Sequence, residues 1–337
     1  MTRSPDVAVV GGGIVGLAAA DALARRGADV AVLERFAPGS GQSAGVARGF
    51  RHLHATAEQI AEAIRARALW DDWSARAGEP LVGEEGALRL GGDAAADAAR
   101  LRAAGVAAEV LERAGDRHPA LRDDAGPLLW DPRGGAIRAR RAIEWLGAEL
   151  GGRLVHTEVL GVHEGRLATT DGPLVCGHVV LCAGAGTERL WPDVTMRRVV
   201  HLRVTFAAAP SWRAATWADR SGRFGPVAYG VADGPGRFAL GLADLDEQPA
   251  PDDPAADVVG APPELDGVRA RLLAYARHAF PGLGPPLDDV VRLLTVLPGN
   301  DEDAYVLDHR PGTTVVAGHN LFKLAPLLGE KVASAIM

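Results

Sequence analysis

The chain has 337 residues, 47% of them hydrophobic and 23% charged, with a formal net charge of -7. That length allows two packed domains, or one domain with a large insertion, and the composition supports a full core under a polar surface. The balance of 43 acids against 36 bases, without long blocks of like charge, excludes a general nucleic-acid binder, and no apolar run is long enough to span a bilayer.

Asp6 to Val10 reads as a short apolar strand, entered directly from Met1–Pro5 without a leader-like apolar segment. Gly11 to Gly16 follows, then an alanine-rich helix to about Arg26, then a strand over 29–34 ending on Glu34. Pro38 to Ala47 is a loop of small and polar residues. Thr56 to Ala77 has helical periodicity, with Ile60, Ile64, Leu69 and Trp73 on one face. A strand over 86–90 and helices over 94–104 and 139–150 come next. Strands are expected over 154–162, 166–170 and 178–181, the last running into Cys182–Gly186. Residues 199–242 alternate strands and turns, and 247–263, rich in Pro and Asp, reads as an exposed loop. A helix over 265–280, strands over 290–297, 305–307 and 313–317, and a helix over 326–336 complete the chain.

Cys176 and Cys182 are the only cysteines and give neither metal-ligand spacing nor a disulfide framework. No metal is expected, and a reducing cytoplasm is the expected compartment. Among the 36 bases only Lys323 and Lys331 are lysines, which makes each of them more informative than a lysine usually is.

Gly11-Gly12-Gly13-Ile14-Val15-Gly16 is a G-x-G-x-x-G turn between strand and helix. In such a turn Gly11 makes the tight bend, Gly13 lets the backbone approach a pyrophosphate, and Gly16 lets helix and strand pack closely. The helix start, at Ile14 and Val15, presents N–H groups and a partial positive charge to phosphate. Glu34, followed by Arg35, stands where an acid accepts hydrogen bonds from ribose hydroxyls. An unphosphorylated ribose suits both FAD and NAD, so the turn alone leaves the two open.

The segment Ser40-Gly41-Gln42-Ser43-Ala44-Gly45-Val46-Ala47-Arg48-Gly49-Phe50-Arg51-His52 resembles the loop after the second strand in the D-amino acid oxidase superfamily of flavoproteins. Its Arg48, Arg51 and His52 match an Arg-x-x-Arg-His signature of the monomeric sarcosine oxidase and N-methyltryptophan oxidase branch. Leu154–Val159, Val180–Ala185 and Val316–Pro326 resemble later flavin-binding segments of the superfamily, in the right order. Phe322-Lys323 matches the sarcosine oxidase branch, while Gly318-His319 and Leu324-Ala325-Pro326 look more like glycine oxidase.

The resemblance implies an α/β fold. A Rossmann-like FAD-binding domain of the glutathione reductase type would take residues 1–80, 145–200 and 310–337. A discontinuous, mainly antiparallel substrate domain would take 81–144 and 201–309. It implies FAD as cofactor, further held by Ser43, Ala44, Arg48, Val159, Ala183, Gly184, Gly318, Leu321, Phe322 and Lys323. It implies oxidation of a C–N bond in an amino acid or a carboxylate-bearing amine, giving an imine that water hydrolyses. Oxygen or another electron acceptor, and a partner subunit, stay open; the alternative is a flavin-binding subunit of a heteromeric amine dehydrogenase. Arg51 is the expected carboxylate anchor, because an arginine fork meets a carboxylate bidentately. Lys323 is the second cation, Arg48 lies against the flavin ring, and Tyr229 lies near the substrate.

Three departures from the family pattern matter. The region 290–298 holds no cysteine for a covalent link, so the FAD is expected to be non-covalent. A lysine over the flavin falls on Ala239 and a histidine on Ala243, which points away from sarcosine and toward a wider, less polar pocket. Only 14 residues follow Lys323, where the resemblance leads one to expect more.

Overall fold

The computed structural model describes residues 4–163, 165–243, 248–249, 265–297 and 304–337. Its first sheet has six strands in the order Tyr305–Arg310, Thr313–Gly318, His178–Leu181, Val7–Val10, Val30–Glu34 and Leu154–His156. All neighbours in it are parallel except the pair at the Tyr305–Arg310 edge.

Strand Val7–Val10 shows why the central strands read as unbroken apolar runs. Val7 and Val9 enter a core shared with the flanking helices. Ala8 and Val10 enter a second core on the other face. A strand buried on both faces has no polar side to alternate with.

Helices Ile14–Arg25, Ala57–Ala77, Ala139–Leu150 and Ala325–Ile336 cover the first face. The helix Ala57–Ala77 opens on a capping box, in which Thr56 Oγ1 accepts from Gln59 N and Gln59 Oε1 accepts from Thr56 N. On its far side Trp70 donates from Nε1 to Lys323 O at 2.8 Å and stacks on Phe322.

The second large sheet is mainly antiparallel. Its path runs Gln248–Pro249, Arg197–Ala207, Arg237–Leu242, Ala228–Ala232, Thr216–Asp219, Ala87–Leu90, Leu128–Asp131 and Glu109–Leu111, with Pro286–Val296 also pairing with Arg197–Ala207. Leu202, Val204 and Phe206 point to a core that includes Leu272, Tyr275 and Phe280 from the helix Asp266–Ala279 and the residue after it. His201, Arg203 and Thr205 therefore point to the opposite face.

A two-stranded ribbon, Ala47–Phe50 with Gly135–Arg138, lies over that opposite face. Ala47–Phe50, Glu109–Leu111, Leu128–Asp131 and Gly172–Val175 form strands where the sequence pattern predicts none. These segments are three or four residues long and two of them carry glycine, so pairing rather than propensity makes them strands. Of the segment 247–263, Gln248–Pro249 forms a short strand on Val199–Val200, and the remainder lies outside the described residues. Among the described residues no helix is long and apolar enough to cross a membrane.

Candidate active site

A cavity of about 660 Å³ lies between the two sheets, running from the Gly11–Val15 turn to the inner face of the antiparallel sheet. The turn end is built for close approach. Gly11 has φ 102°, and a Cβ there would stand 2.4 Å from Cys182 O. Only glycine fits that bend and that contact. At Gly16 a Cβ would meet Gly11 O, so the helix start rests directly on the turn.

Gly13 differs, because a Cβ there would meet only Ser43 Oγ, at 3.3 Å. Its freedom serves the cavity rather than the fold. Ser43 Oγ accepts from Ile14 N at 3.0 Å. The first turn of this helix carries no acid, and its positive end lines the cavity. Glu34 accepts from Gly12 N at 2.7 Å and from Phe36 N at 2.8 Å. A carboxylate offers about four lone-pair sites, and this one lines the cavity with acceptor capacity left for hydroxyls. These features fit the phosphates and ribose of a dinucleotide.

The other end is cationic. Arg48, half-buried, donates from Nη1 to Ala47 O at 2.8 Å, and its guanidinium stands 5.3 Å from the Phe322 ring centroid. Arg51, two residues beyond Gly49, donates to Leu53 O. Lys323 is 5% exposed and lines the cavity. It sits in the short helical turn Leu321–Leu324, entered through Asn320 at φ 56°. Among the described residues Asn320 is the one non-glycine with positive φ, a strain that clusters at functional segments.

The loop that carries Arg51 is held from behind. Asp131 accepts from His52 N at 2.9 Å, from His52 Nδ1 at 2.9 Å, and from Arg133 N and Gly134 N at 3.1 Å. Burial pushes the Asp131 carboxyl up, but the hydrogen bonds and charge of His52 outweigh it and leave the group below the usual carboxylate range. His52, 2% exposed, is thus a satisfied core histidine that ties Arg51 to the sheet.

On the sheet wall, Tyr229 and Arg203 both pair across to Gly241, so the three residues form one row over three strands. A Cβ on Gly241 would lie 2.5 Å from the Tyr229 ring and hydroxyl, so the missing side chain is the seat of the ring. Ala239 is 1% exposed beneath Ala47, Ala136 and Val231, away from the cavity lining, whereas Ala243 lines it. The expected widening at Ala239 is therefore filled by the ribbon.

The cavity gathers Gly11, Gly13, Ile14, Val15, Glu34, Arg35, Ser43, Arg48, Arg51, Ala183, Gly184, Tyr229, Gly318, Leu321, Phe322 and Lys323. Three other residues proposed for the cofactor lie outside its lining. Gly16 packs on Gly11, Ala44 is exposed in the loop, and Val159 is buried in the core on the far face of the first sheet. The lining also contains Arg89, His201, Arg203, Thr216 and Arg220, which pattern reading passed over. For His201 and Arg203 a signal existed: polar residues at alternate positions of the otherwise apolar run 199–206.

The chain matches the family model described as "FAD dependent oxidoreductase" over residues 6–335. It is 27% identical to N-methyl-L-tryptophan oxidase of Salmonella arizonae, over 97% of this chain and 93% of that protein. It is 31% identical to D-amino-acid oxidase of Streptomyces coelicolor, over 86% of this chain and 85% of that protein. Among solved structures it resembles the open form of NikD, an unusual amino acid oxidase essential for nikkomycin biosynthesis, with a TM-score of 0.84 and 25% identity over 100% of this chain and 94% of that one. L-proline dehydrogenase from P. horikoshii shares the fold, with a TM-score of 0.85 at 20% identity over 100% of this chain and 94% of that one. A dinucleotide turn joined by one cavity to a cationic sheet wall, and a family match over almost the whole length, lead to one conclusion: this chain belongs to the FAD-dependent oxidoreductases of the D-amino acid oxidase family, and FAD is its cofactor.

Proposed function

We propose that the protein oxidises the C–N bond of an amino acid, or of an amine bearing a carboxylate, to an imine that water then hydrolyses. The observation that carries this reading is the single cavity shared by the Gly11–Val15 turn and the cations Arg51 and Lys323. When bound, FAD accepts a hydride equivalent from the carbon beside the amine nitrogen. The chain's own residues do the rest. Gly13, Ile14 and Val15 bind the phosphates, with Ser43 beside them, and Glu34 binds the ribose. Arg51 takes the substrate carboxylate in a bidentate grip, and Lys323 adds a second positive charge. Arg48, packed over Phe322, shapes the wall against the ring. Tyr229, seated on Gly241, lines the substrate side.

The cysteines support non-covalent FAD. Cys176 is buried in the far core. Cys182 lies under the dinucleotide turn, where burial pushes its thiol up to about 12. A neutral thiol is a poor nucleophile at neutral pH. The structure's two large sheets also support a two-part organisation, a cofactor half around the parallel sheet and a substrate half around the antiparallel one. Names of relatives that include N-methyl-L-tryptophan oxidase and D-amino-acid oxidase favour amino acid substrates, with oxygen or another acceptor taking the electrons.

The test is turnover with purified holoenzyme. Amino acids should yield a 2-oxo acid and ammonia, N-methyl amino acids should yield either that acid with methylamine or formaldehyde with the parent amino acid, and acid precipitation should leave the yellow colour in the supernatant. Absence of carbonyl product across such a panel, from protein with FAD bound, would overturn the substrate class. Colour held in the pellet would overturn the non-covalent assignment.

A further inference from the structure

Arg203 is a charged side chain placed where charge is costly. It is 5% exposed and lies mid-strand on the inner face of the antiparallel sheet. Burying a cation is unfavourable unless donors and charge are matched. Here matching by the protein is incomplete. Nη1 donates to Ala47 O at 3.3 Å, and Nε has no hydrogen-bond partner among the described residues. The guanidinium stands over the Tyr229 ring, 5.8 Å from its centroid, a separation at which cation and ring attract.

Asp233 is an acid within electrostatic reach of Arg203. Burial pushes the Asp233 carboxyl up against the pull of three arginines, Arg203, Arg237 and Arg48. Arg237 has its own partner in Asp288. Arg203 and Arg48 both donate to the Ala47 carbonyl, and Arg203 brings a buried positive charge to the cavity lining.

The direction of the dinucleotide says what meets that charge. Its phosphates belong at the Gly11–Val15 turn and one ribose at Glu34. The cavity continues from there to the wall that holds Arg48, Arg203, Tyr229 and Phe322, which is the space open to the remaining half. Strands in a sheet are about 4.8 Å apart. Arg203 lies three strand intervals from the strand Thr216–Asp219. It is therefore well separated from the Arg89 and Arg220 end of the wall.

We infer that Arg203, propped by the Tyr229 ring on its Gly241 seat and by Ala47 O, supplies the fixed positive charge for the flavin ring, stabilising the negative charge the ring gains on reduction and drawing small anions to it. This rests on the reading of the site given above. A preorganised charge in a water-poor cavity acts far more strongly than one in solvent. The neighbouring position, Ala239, contributes no charge and is covered by the ribbon.

Inorganic sulfite is a direct probe, because it adds to the oxidised ring and leaves the adduct anionic. Its dissociation constant is read from bleaching of the flavin band in holoprotein, without turnover. Arg203→Met should weaken sulfite binding about tenfold, the scale for a unit charge near the ring at protein dielectric. The two-electron midpoint potential should fall by about 30 mV for each tenfold. Arg203→Lys should retain most of both. Should Arg203→Met lose its FAD, Gly241→Ala carries the test: it leaves every charge in place, displaces the Tyr229 ring, and should also weaken sulfite binding. Sulfite affinity and potential equal to wild type in flavin-loaded Arg203→Met, or in Gly241→Ala if that is the variant measured, overturn the inference alone. Wild-type protein that takes up no FAD overturns the reading it rests on as well.

Discussion

Arg48 and Arg203, separated by 155 positions, donate to the same carbonyl oxygen, that of Ala47, at 2.8 and 3.3 Å. Two guanidiniums on one acceptor repel each other, so the arrangement persists because other contacts hold it: Phe322 beneath Arg48 and Tyr229 beneath Arg203. The shared carbonyl joins the ribbon that covers the cavity to the sheet that forms its wall. It also brings the parallel-sheet half and the antiparallel half to a common point at the cavity.

Gly13→Val separates cofactor binding from folding. The position faces open cavity apart from Ser43 Oγ at 3.3 Å. The variant should keep its thermal stability without ligand and lose FAD, because the new methyls fill the space for phosphate. Gly11→Ala is the contrast. Its Cβ would strike Cys182 O at 2.4 Å in a positive-φ bend, so it should lower the melting temperature itself. Paired melting curves and flavin spectra distinguish the two.

Arg51→Ala tests the carboxylate anchor. Charge-assisted hydrogen bonds contribute about 1.5–3 kcal/mol, which corresponds to a rise in KM of roughly ten- to hundredfold. An amine lacking the carboxylate should lose much less. Unchanged KM for the carboxylate substrate, with FAD still bound, would remove Arg51 from that role.

Asp131 accepts four hydrogen bonds in a buried place, two of them from His52. Removing one partner of such a pair costs about 3–5 kcal/mol, so Asp131→Ala should be strongly destabilised in denaturant melts. The pH dependence has a definite sign. The folded carboxyl lies below its ordinary value, so its contribution is present above about pH 4 and is lost as pH falls through the folded value. Asp131→Asn should flatten that acid limb.

His118 gives a second acid-side signature. It is 1% exposed, packed against Phe238 and Phe280, and its two ring nitrogens have no hydrogen-bond partner among the described residues. Burial lowers its pKa from the ordinary 6.5 to about 3. The unfolded chain takes up a proton that the folded one refuses. Stability is therefore full above 6.5 and falls by about 1.4 kcal/mol per pH unit on the way down to the folded value. His118→Phe should remove that slope, and stability curves at several pH values would show whether it does.

Local chemistry was the legible part of this chain. The turn at Gly11–Gly16 and the acid at Glu34 lie within one strand–helix–strand unit, so their spacing alone placed them together. Lys323 stood out through the scarcity of lysine and proved to line the cavity. Relationships made across strands were not legible. Arg203 reaches Tyr229 only because both pair with Gly241, and no spacing along the chain encodes that register. Ala47–Phe50 has a composition no rule reads as a strand, yet its pairing with Gly135–Arg138 covers Ala239. The cofactor role of Val159 comes from the resemblance of Leu154–Val159 to a family segment that holds the cofactor through its backbone, and not from any pattern in the chain; its side chain lies in the far core.

The most direct test mixes FAD-loaded protein anaerobically with a panel of amino acids and N-methyl amino acids and follows the flavin absorbance. The account predicts that at least one member bleaches the oxidised bands, and that Arg51→Ala slows or weakens this bleaching for the same compound. Bands that stay oxidised with every amino acid, but bleach with a hydroxy acid or a reduced nicotinamide, would contradict it.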